Sequence, residues 1–106
     1  MTSWHTRLER EAIKIFGGKP LRKYGTDGVI RGRPVEVRAT RKDHRYRIQR
    51  NVHHQLVRNQ GSYIFCDKGR CKKIPARQVS RLMGRGRWFK DRTYPHRFLE
   101  KKKVFT

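Results

Sequence analysis

Acidic side chains are scarce in this sequence. Of 106 residues only 8 are Asp or Glu, against 29 Lys or Arg, leaving a formal net charge of +21. A surplus of that size repels itself unless a polyanion supplies the missing negative charge. Nucleic acid is the expected partner, because each cation set near a phosphate releases condensed counterions, which makes binding strong at low salt and weak at high salt. Basic residues fall in every segment of the chain, so the charge is more than one solvated face. Long apolar runs are lacking too. None approaches a membrane span, the N-terminus has no signal-peptide core, and no amphipathic helix with a broad apolar face offers a membrane-surface anchor. An intracellular protein without a membrane partner is therefore expected. Cysteine is limited to Cys66 and Cys71. Their spacing, beside the turn residues Asp67, Lys68 and Gly69, permits a disulfide across a hairpin, although reduced thiols are the expectation inside a cell. A glycine-rich phosphate loop, a Ser/His/Asp set and internal repeats are missing. A zinc set drawn from His53, His54, Cys66 and Cys71 is disfavoured, since adjacent histidines on a helix point about 100° apart.

What is present has a regular texture. Trp4, Leu8, Ala12, Ile15 and Phe16 recur at helical spacing, with Ser3 as a cap and Gly17-Gly18 as the stop. Short runs rich in β-branched and aromatic residues follow, at 21–24, 28–31 and 35–39, split by Gly25-Thr26-Asp27 and Gly32-Arg33-Pro34; they predict strands joined by tight turns. Between 45 and 59, Ile48, Val52, Leu56 and Val57 return to helical spacing. Ser62 to Cys66 predicts a buried strand, Cys71 to Ile74 a partner strand, and Pro75 opens a helix with Val79, Leu82 and Met83 inward. The expected order is α-β-β-β-α-β-β-α, a single α/β domain over residues 1–84 with a modest core, to which a homodimer could add stability.

Beyond Gly84 the pattern dissolves into basic residues interleaved with aromatics, and residues 85–106 are expected to form a C-terminal tail. Arg85, Arg87, Trp88, Lys90 and the run Lys101, Lys102, Lys103 suit a segment lying along nucleic acid, cations on phosphates and rings against bases or sugars. The alternative is that Trp88, Phe89 and Phe98 pack back onto the domain. Arg41, Lys42, Arg45 and Arg47 are further candidate phosphate contacts.

The few acidic residues become informative by position. The N-terminal half holds Glu9, Glu11, Asp27, Glu36 and Asp43. Asp27 precedes one strand and Glu36 lies inside the next, flanked by valines that face the other way. Two such carboxylates meeting near a turn can hold Mg²⁺ or Mn²⁺, whose coordination is completed by water and phosphate oxygens, and which activates water for phosphodiester hydrolysis. Against this stands a plainer reading, in which Asp27 caps a turn and Glu36 pairs with a nearby arginine.

A helix with Glu9, a strand-flanking Asp27, the strand Val35-Glu36-Val37-Arg38, a following helix with Gln49 and the strand Tyr63-Ile64-Phe65 together resemble the PD-(D/E)xK nuclease superfamily. Archaeal Holliday-junction resolvases and small virus and plasmid nucleases are the members most like it. The resemblance spans residues 5 to 83 and implies a restriction-endonuclease-like α/β fold, a central mixed sheet flanked by helices. It further implies a Mg²⁺- or Mn²⁺-dependent DNA endonuclease acting on duplex or branched DNA. Asp27, Glu36 and the carbonyl of Val37 would then be metal ligands. Glu9, with Glu11 as fallback, would match the helix-one glutamate, and Gln49 or Gln55 the polar residue on the next helix. One departure is clear: the family's lysine is Arg38 here. Guanidinium stays charged and stabilises anionic oxygen but cannot serve the attacking water as lysine can. Two alternatives follow, a catalytically inactive nuclease-fold DNA-binding protein and a basic RNA- or ribosome-associated protein.

Overall fold

The computed structural model describes residues 4–21, 26–40, 42–90 and 94–105, with side chains from residue 7 onward. Its elements are α1 (Trp4–Ile15), β1 (Lys19–Pro20), β2 (Gly28–Ile30), β3 (Arg33–Ala39), β4 (Arg45–Gln49), α2 (Arg50–Arg58), β5 (Ser62–Asp67), β6 (Arg70–Pro75), α3 (Ala76–Met83), β7 (His96–Glu100) and α4 (Lys101–Val104). The fold is mixed α/β. Five strands form the main sheet in the order β1-β2-β3-β5-β6, and β4 and β7 form a separate antiparallel pair. Within the main sheet β1, β2 and β3 run antiparallel in sequence, whereas β3 and β5 are parallel, Val37 opposite Ile64. A parallel pair needs a crossover, and α2 lies in it.

Side-chain alternation divides the sheet into two faces. Val35 and Val37 of β3, with Ile64 and Cys66 of β5, join Ala12 and Ile13 of α1 and Ile30 of β2 in one aliphatic cluster. Tyr63 and Phe65 point the other way. They join Tyr46, Ile48, Leu56, Ile74, Ala76, Val79, Leu99 and Val104 in a larger, partly aromatic one. Two glycines set the first face. Arg31 and Gly32, both at positive φ, make a two-residue turn that pairs Ile30 with Arg33, the backbone such a tight hairpin favours. At Gly28 a Cβ would stand 2.7 Å from both Ile13 Cδ1 and the Lys19 carbonyl oxygen, so only glycine lets α1 and β1 press against β2.

Several expectations change. On α1 it is Ile13 that is buried, while Ile15 is 75% exposed; Leu8, Ala12, Ile13 and Phe16 define the inner face. Ser3 and the side chain of Trp4 lie outside the described residues. The expected strand at 21–24 is replaced by β1 at Lys19–Pro20, with 22–25 outside the described residues. The turn expected at 32–34 sits one residue earlier, so Arg33 and Pro34 begin β3. The helix expected from residue 45 starts only at Arg50, because Arg45–Gln49 is strand β4. Cys66 and Cys71 face each other directly across the β5–β6 hairpin and are joined in a disulfide, not held as reduced thiols.

The largest change is at the C-terminus. The expected separate tail contains β7, which pairs with β4 along its whole length, and α4. Leu99 and Val104 are buried with the second cluster, and Trp88 and Phe105 pack against it. Further ties are the hydrogen bonds from the Arg50 N–H to the Pro95 carbonyl and from the Lys101 N–H to the His44 carbonyl. No described helix is long and apolar enough to cross a membrane.

Candidate nucleic-acid interface and carboxylate centre

The β2–β3 hairpin brings Asp27 and Glu36 together. Asp27 stands one residue before β2, and the pairing of Gly28 with Val35 places it beside Glu36 and Val37. The Val37 N–H donates to Asp27 Oδ2 at 2.8 Å. The backbone of Asp27 in turn slightly favours the ionised Glu36 carboxylate. Asp27 is thus oriented by the strand that carries Glu36, a brace that sequence spacing implied only as proximity. Glu36 is 6% exposed. It alternates with Val35 and Val37, so its side chain leaves the aliphatic face and emerges on the face of Tyr63, its register partner.

Electrostatics mark these groups as a set. Burial pushes the Glu36 carboxyl up to about 7; the Arg38 guanidinium opposes the rise, and the charges of Asp27 and Glu9 add to it. Burial likewise raises Asp27, opposed by its hydrogen bond from Val37 and by Arg38. Glu9, arriving from α1, is raised by burial and by Asp27. The expected trio of Glu9, Asp27 and Glu36 therefore shares one field around Arg38. Even so, no group of three or more His, Cys, Asp or Glu side chains among the described residues gathers at metal-holding distance.

Arg38 itself is clamped. Its Nη1 lies 3.0 Å from Glu36 Oε2 and donates to the Val37 carbonyl at 3.3 Å, while its Nε donates to the Arg47 carbonyl at 3.2 Å. A side-chain cation thus rests on two oxygens assigned by sequence to a metal, and ties β3 to β4.

On the far side of Arg38 opens a cleft of about 420 Å³, lined by Arg38, Arg45, Arg47, Gln49, Asp43 and Phe98 among others. Alternation along β4 explains it: Tyr46 and Ile48 point into the core, while Arg45, Arg47 and Gln49 point out. Gln49 is not on the helix as expected; it ends β4 and is the N-cap residue of α2. Gln55 is exposed on α2, as is Glu11 on α1. Lys42, Arg85, Arg87 and Lys90 are exposed, and Arg41 lies outside the described residues.

No protein-family model matches the chain, and no curated protein matches it.

Two groups of candidate contacts have other work. Lys101 Nζ lies 2.9 Å from buried Asp67, which Arg70 also reaches at 3.2 Å; the hydrogen bond from Lys101 holds that carboxyl below the usual range. Lys103 donates to the Leu82 carbonyl and Lys102 pairs with Glu100. Trp88 packs inward, edge-on to His54 and with Arg97 over its ring. The sequence reading missed Phe98 as a cleft wall and Arg97 as a brace to the carbonyls of Met83 and Gly84. Only β4 carried a signal, since 45–49 alternates outward and inward residues with period two, whereas 96–100 shows no such alternation. His53, considered for zinc, is instead buried between Tyr63 Oη at 3.0 Å and Ser80 Oγ at 2.7 Å. Ser80 Oγ also reaches the Ala76 carbonyl. A neutral ring donating from Nε2 to Ser80 and accepting the Tyr63 hydroxyl at Nδ1 satisfies all three groups.

Proposed function

We propose that this chain is a DNA-binding protein of restriction-endonuclease-like fold that hydrolyses phosphodiester bonds with Mg²⁺ or Mn²⁺, on the pattern of Holliday-junction-resolvase-like nucleases. Support for the fold comes from the order of elements: a helix, a three-strand antiparallel meander, then a crossover through α2 into a strand parallel to β3. The observation that carries the function is the Asp27 carboxylate held by the Val37 N–H beside Glu36, two of the few acids in a chain of charge +21, with Glu36 paired to Arg38 in the wall of an arginine-lined cleft.

The donor set suits a hard divalent ion, being two carboxylates and a carbonyl oxygen. Asp27, Glu36 and Val37 would hold the ion, which when bound supplies a lowered water pKa and charge neutralisation at phosphate. The chain's own residues do the rest. Val37 fixes the Asp27 carboxylate through its N–H. Arg45 and Arg47 hold the backbone phosphates in the cleft. Arg38, swung from Glu36 to a phosphate oxygen, stabilises negative charge there without exchanging a proton.

The second reading, a DNA-binding module without catalysis, draws on the placement of Arg38. Its guanidinium already neutralises Glu36 and occupies the Val37 carbonyl, so Glu36 needs no metal for charge balance. Nicking of plasmid and four-way DNA with Mg²⁺ or Mn²⁺ separates the two. Under the first reading Asp27→Asn and Glu36→Gln drop nicking to background while metal-free DNA binding stays equal or tightens, since a carboxylate near phosphate repels it. Absence of wild-type cleavage with either metal leaves the binding module.

A further inference from the structure

The β4–β7 pair has an outer face that neither the aliphatic nor the aromatic core uses. Register places Arg47 opposite Phe98, Gln49 opposite His96 and Arg45 opposite Glu100. Leu99 and Tyr46 alternate inward, so Phe98 emerges on the outside, 37% exposed. The Arg45 guanidinium carbon lies 3.7 Å from the Phe98 ring centroid, and the His96 ring meets Phe98 edge-on at 5.1 Å. Arg47 extends to His96 Nδ1 at 3.2 Å. A large aromatic ring is thus held at the wall of the arginine cleft between a guanidinium and an imidazole, where burial has no use for it.

We infer that this face takes unpaired nucleotides of DNA: a base stacks on the Arg45–Phe98 pair while the adjoining phosphates meet the cleft arginines. Charge complementarity selects a polyanion, and stacking selects one with bases free to offer their π-faces. Within continuous duplex those faces are already stacked on each other, so duplex can use only the cations. The inference deepens the proposed function, because the cleft adjoins Arg38 and an unpaired strand laid there leads toward Asp27 and Glu36. Flapped, gapped or branched DNA is therefore preferred over intact duplex. It rests on that reading only for DNA as the partner, not for cleavage.

The test uses the full chain in EDTA, so that cleavage plays no part. Fluorescence anisotropy compares a labelled single-stranded 20-mer with the same sequence as blunt duplex. A lost stacking contact is worth roughly tenfold in affinity; Phe98→Ala should weaken single-strand binding by about that factor, leave duplex binding within about twofold, and Phe98→Tyr should restore the first. Arg45→Lys, which keeps the charge but loses the plane, should follow Phe98→Ala for the single strand. Circular dichroism of Phe98→Ala controls for folding, and Phe98→Tyr tests the ring even should the alanine variant be unstable. Equal losses on both probes, no loss on either, or failure of tyrosine to restore binding would overturn the inference. Failure of the nuclease reading alone would leave these affinities unchanged.

Discussion

The two faces of the main sheet are built on different principles. One is covered by α1 and holds a small aliphatic cluster. The other is covered by α2, α3, α4 and the β4–β7 pair, and holds Tyr46, Tyr63 and Phe65 with residues from as far along as Val104. Glu36 and Arg38 open onto the second face; Glu9 reaches them from the first, and Asp27 from the strand edge. The site therefore sits where a locally assembled half meets one assembled from distant segments. Loss of the distant half should cost both the core and the cleft. Deleting residues 85–106 removes Leu99, Val104 and Trp88 from the second cluster and strips β4 of its partner, so the remainder should lose cooperative unfolding altogether. Within the full chain, Leu99→Ala should cost about 2–5 kcal/mol, the usual range for a buried leucine. Chemical denaturation reads both, and a truncated chain that still melts cooperatively would show the faces to be independent.

The same contrast explains what was legible in the sequence. The locally assembled half was read nearly as it stands: α1, β2 and β3 fell within a few residues of expectation, as did the approach of Asp27 to Glu36, since hairpin neighbours follow from alternation and short turns. Ile15 was misplaced because a helix with apolar groups at both 13 and 15 leaves its inner face to be decided by what packs there. The distant half hid β4 and β7. Arg45-Tyr46-Arg47-Ile48-Gln49 alternates like a strand, but Ile48 also fits a helical series with Val52 and Leu56, and only pairing with β7 decides between them. The cleft could not be read at all, since its walls come from residues about fifty positions apart. Nor could the partner of Lys101, a buried aspartate on another element.

The second face also carries a pH signature of its own at His53. His53 is buried, and burial, with the charges of His54 and Arg97, lowers it from 6.5 to about 4. In the unfolded chain the ring takes up a proton near 6.5, whereas in the fold it stays neutral until about 4. Stability is thus fully present above 6.5 and falls as pH drops through that window, by at most about 3 kcal/mol at roughly 1.4 kcal/mol per pH unit. His53→Gln keeps hydrogen-bonding groups but cannot titrate. Its melting temperature should be lower at neutral pH and should fall less between pH 6.5 and 4 than that of the parent; an unchanged slope would place the acid sensitivity on other groups.

A smaller effect separates cations that face solvent from cations that hold the fold. Arg45 lies at the cleft and Lys101 on Asp67. Each phosphate neutralised contributes roughly 0.9 to the slope of log affinity against log salt on duplex. Arg45→Ala should lower that slope by about this amount with little change in stability. Lys101→Ala should leave the slope alone and destabilise the chain, because Asp67 then stays buried with Arg70 as its remaining named cation. Equal slope changes in the two variants would return Lys101 to the nucleic-acid surface that its sequence run suggested.

The finest distinction concerns Arg38, a residue that touches both halves, through Glu36 and Val37 on β3 and the Arg47 carbonyl on β4. If it stands where the nuclease family has lysine, Arg38→Lys should preserve or raise Mn²⁺-dependent nicking, because an ammonium is compact enough to leave the Val37 carbonyl and can assist the attacking water. The same change gives up the guanidinium's reach to three oxygens at once, so melting temperature should fall slightly. If Arg38 serves only as a structural clamp, lysine gives the same thermal loss but no cleavage under any metal, and DNA affinity stays where it was. The two outcomes share their stability term and differ only in nicking, so measuring both on one preparation isolates the chemistry from the fold. Loss of activity in Arg38→Lys together with robust wild-type cleavage would reverse the assignment, making the bidentate guanidinium the group that holds the scissile phosphate.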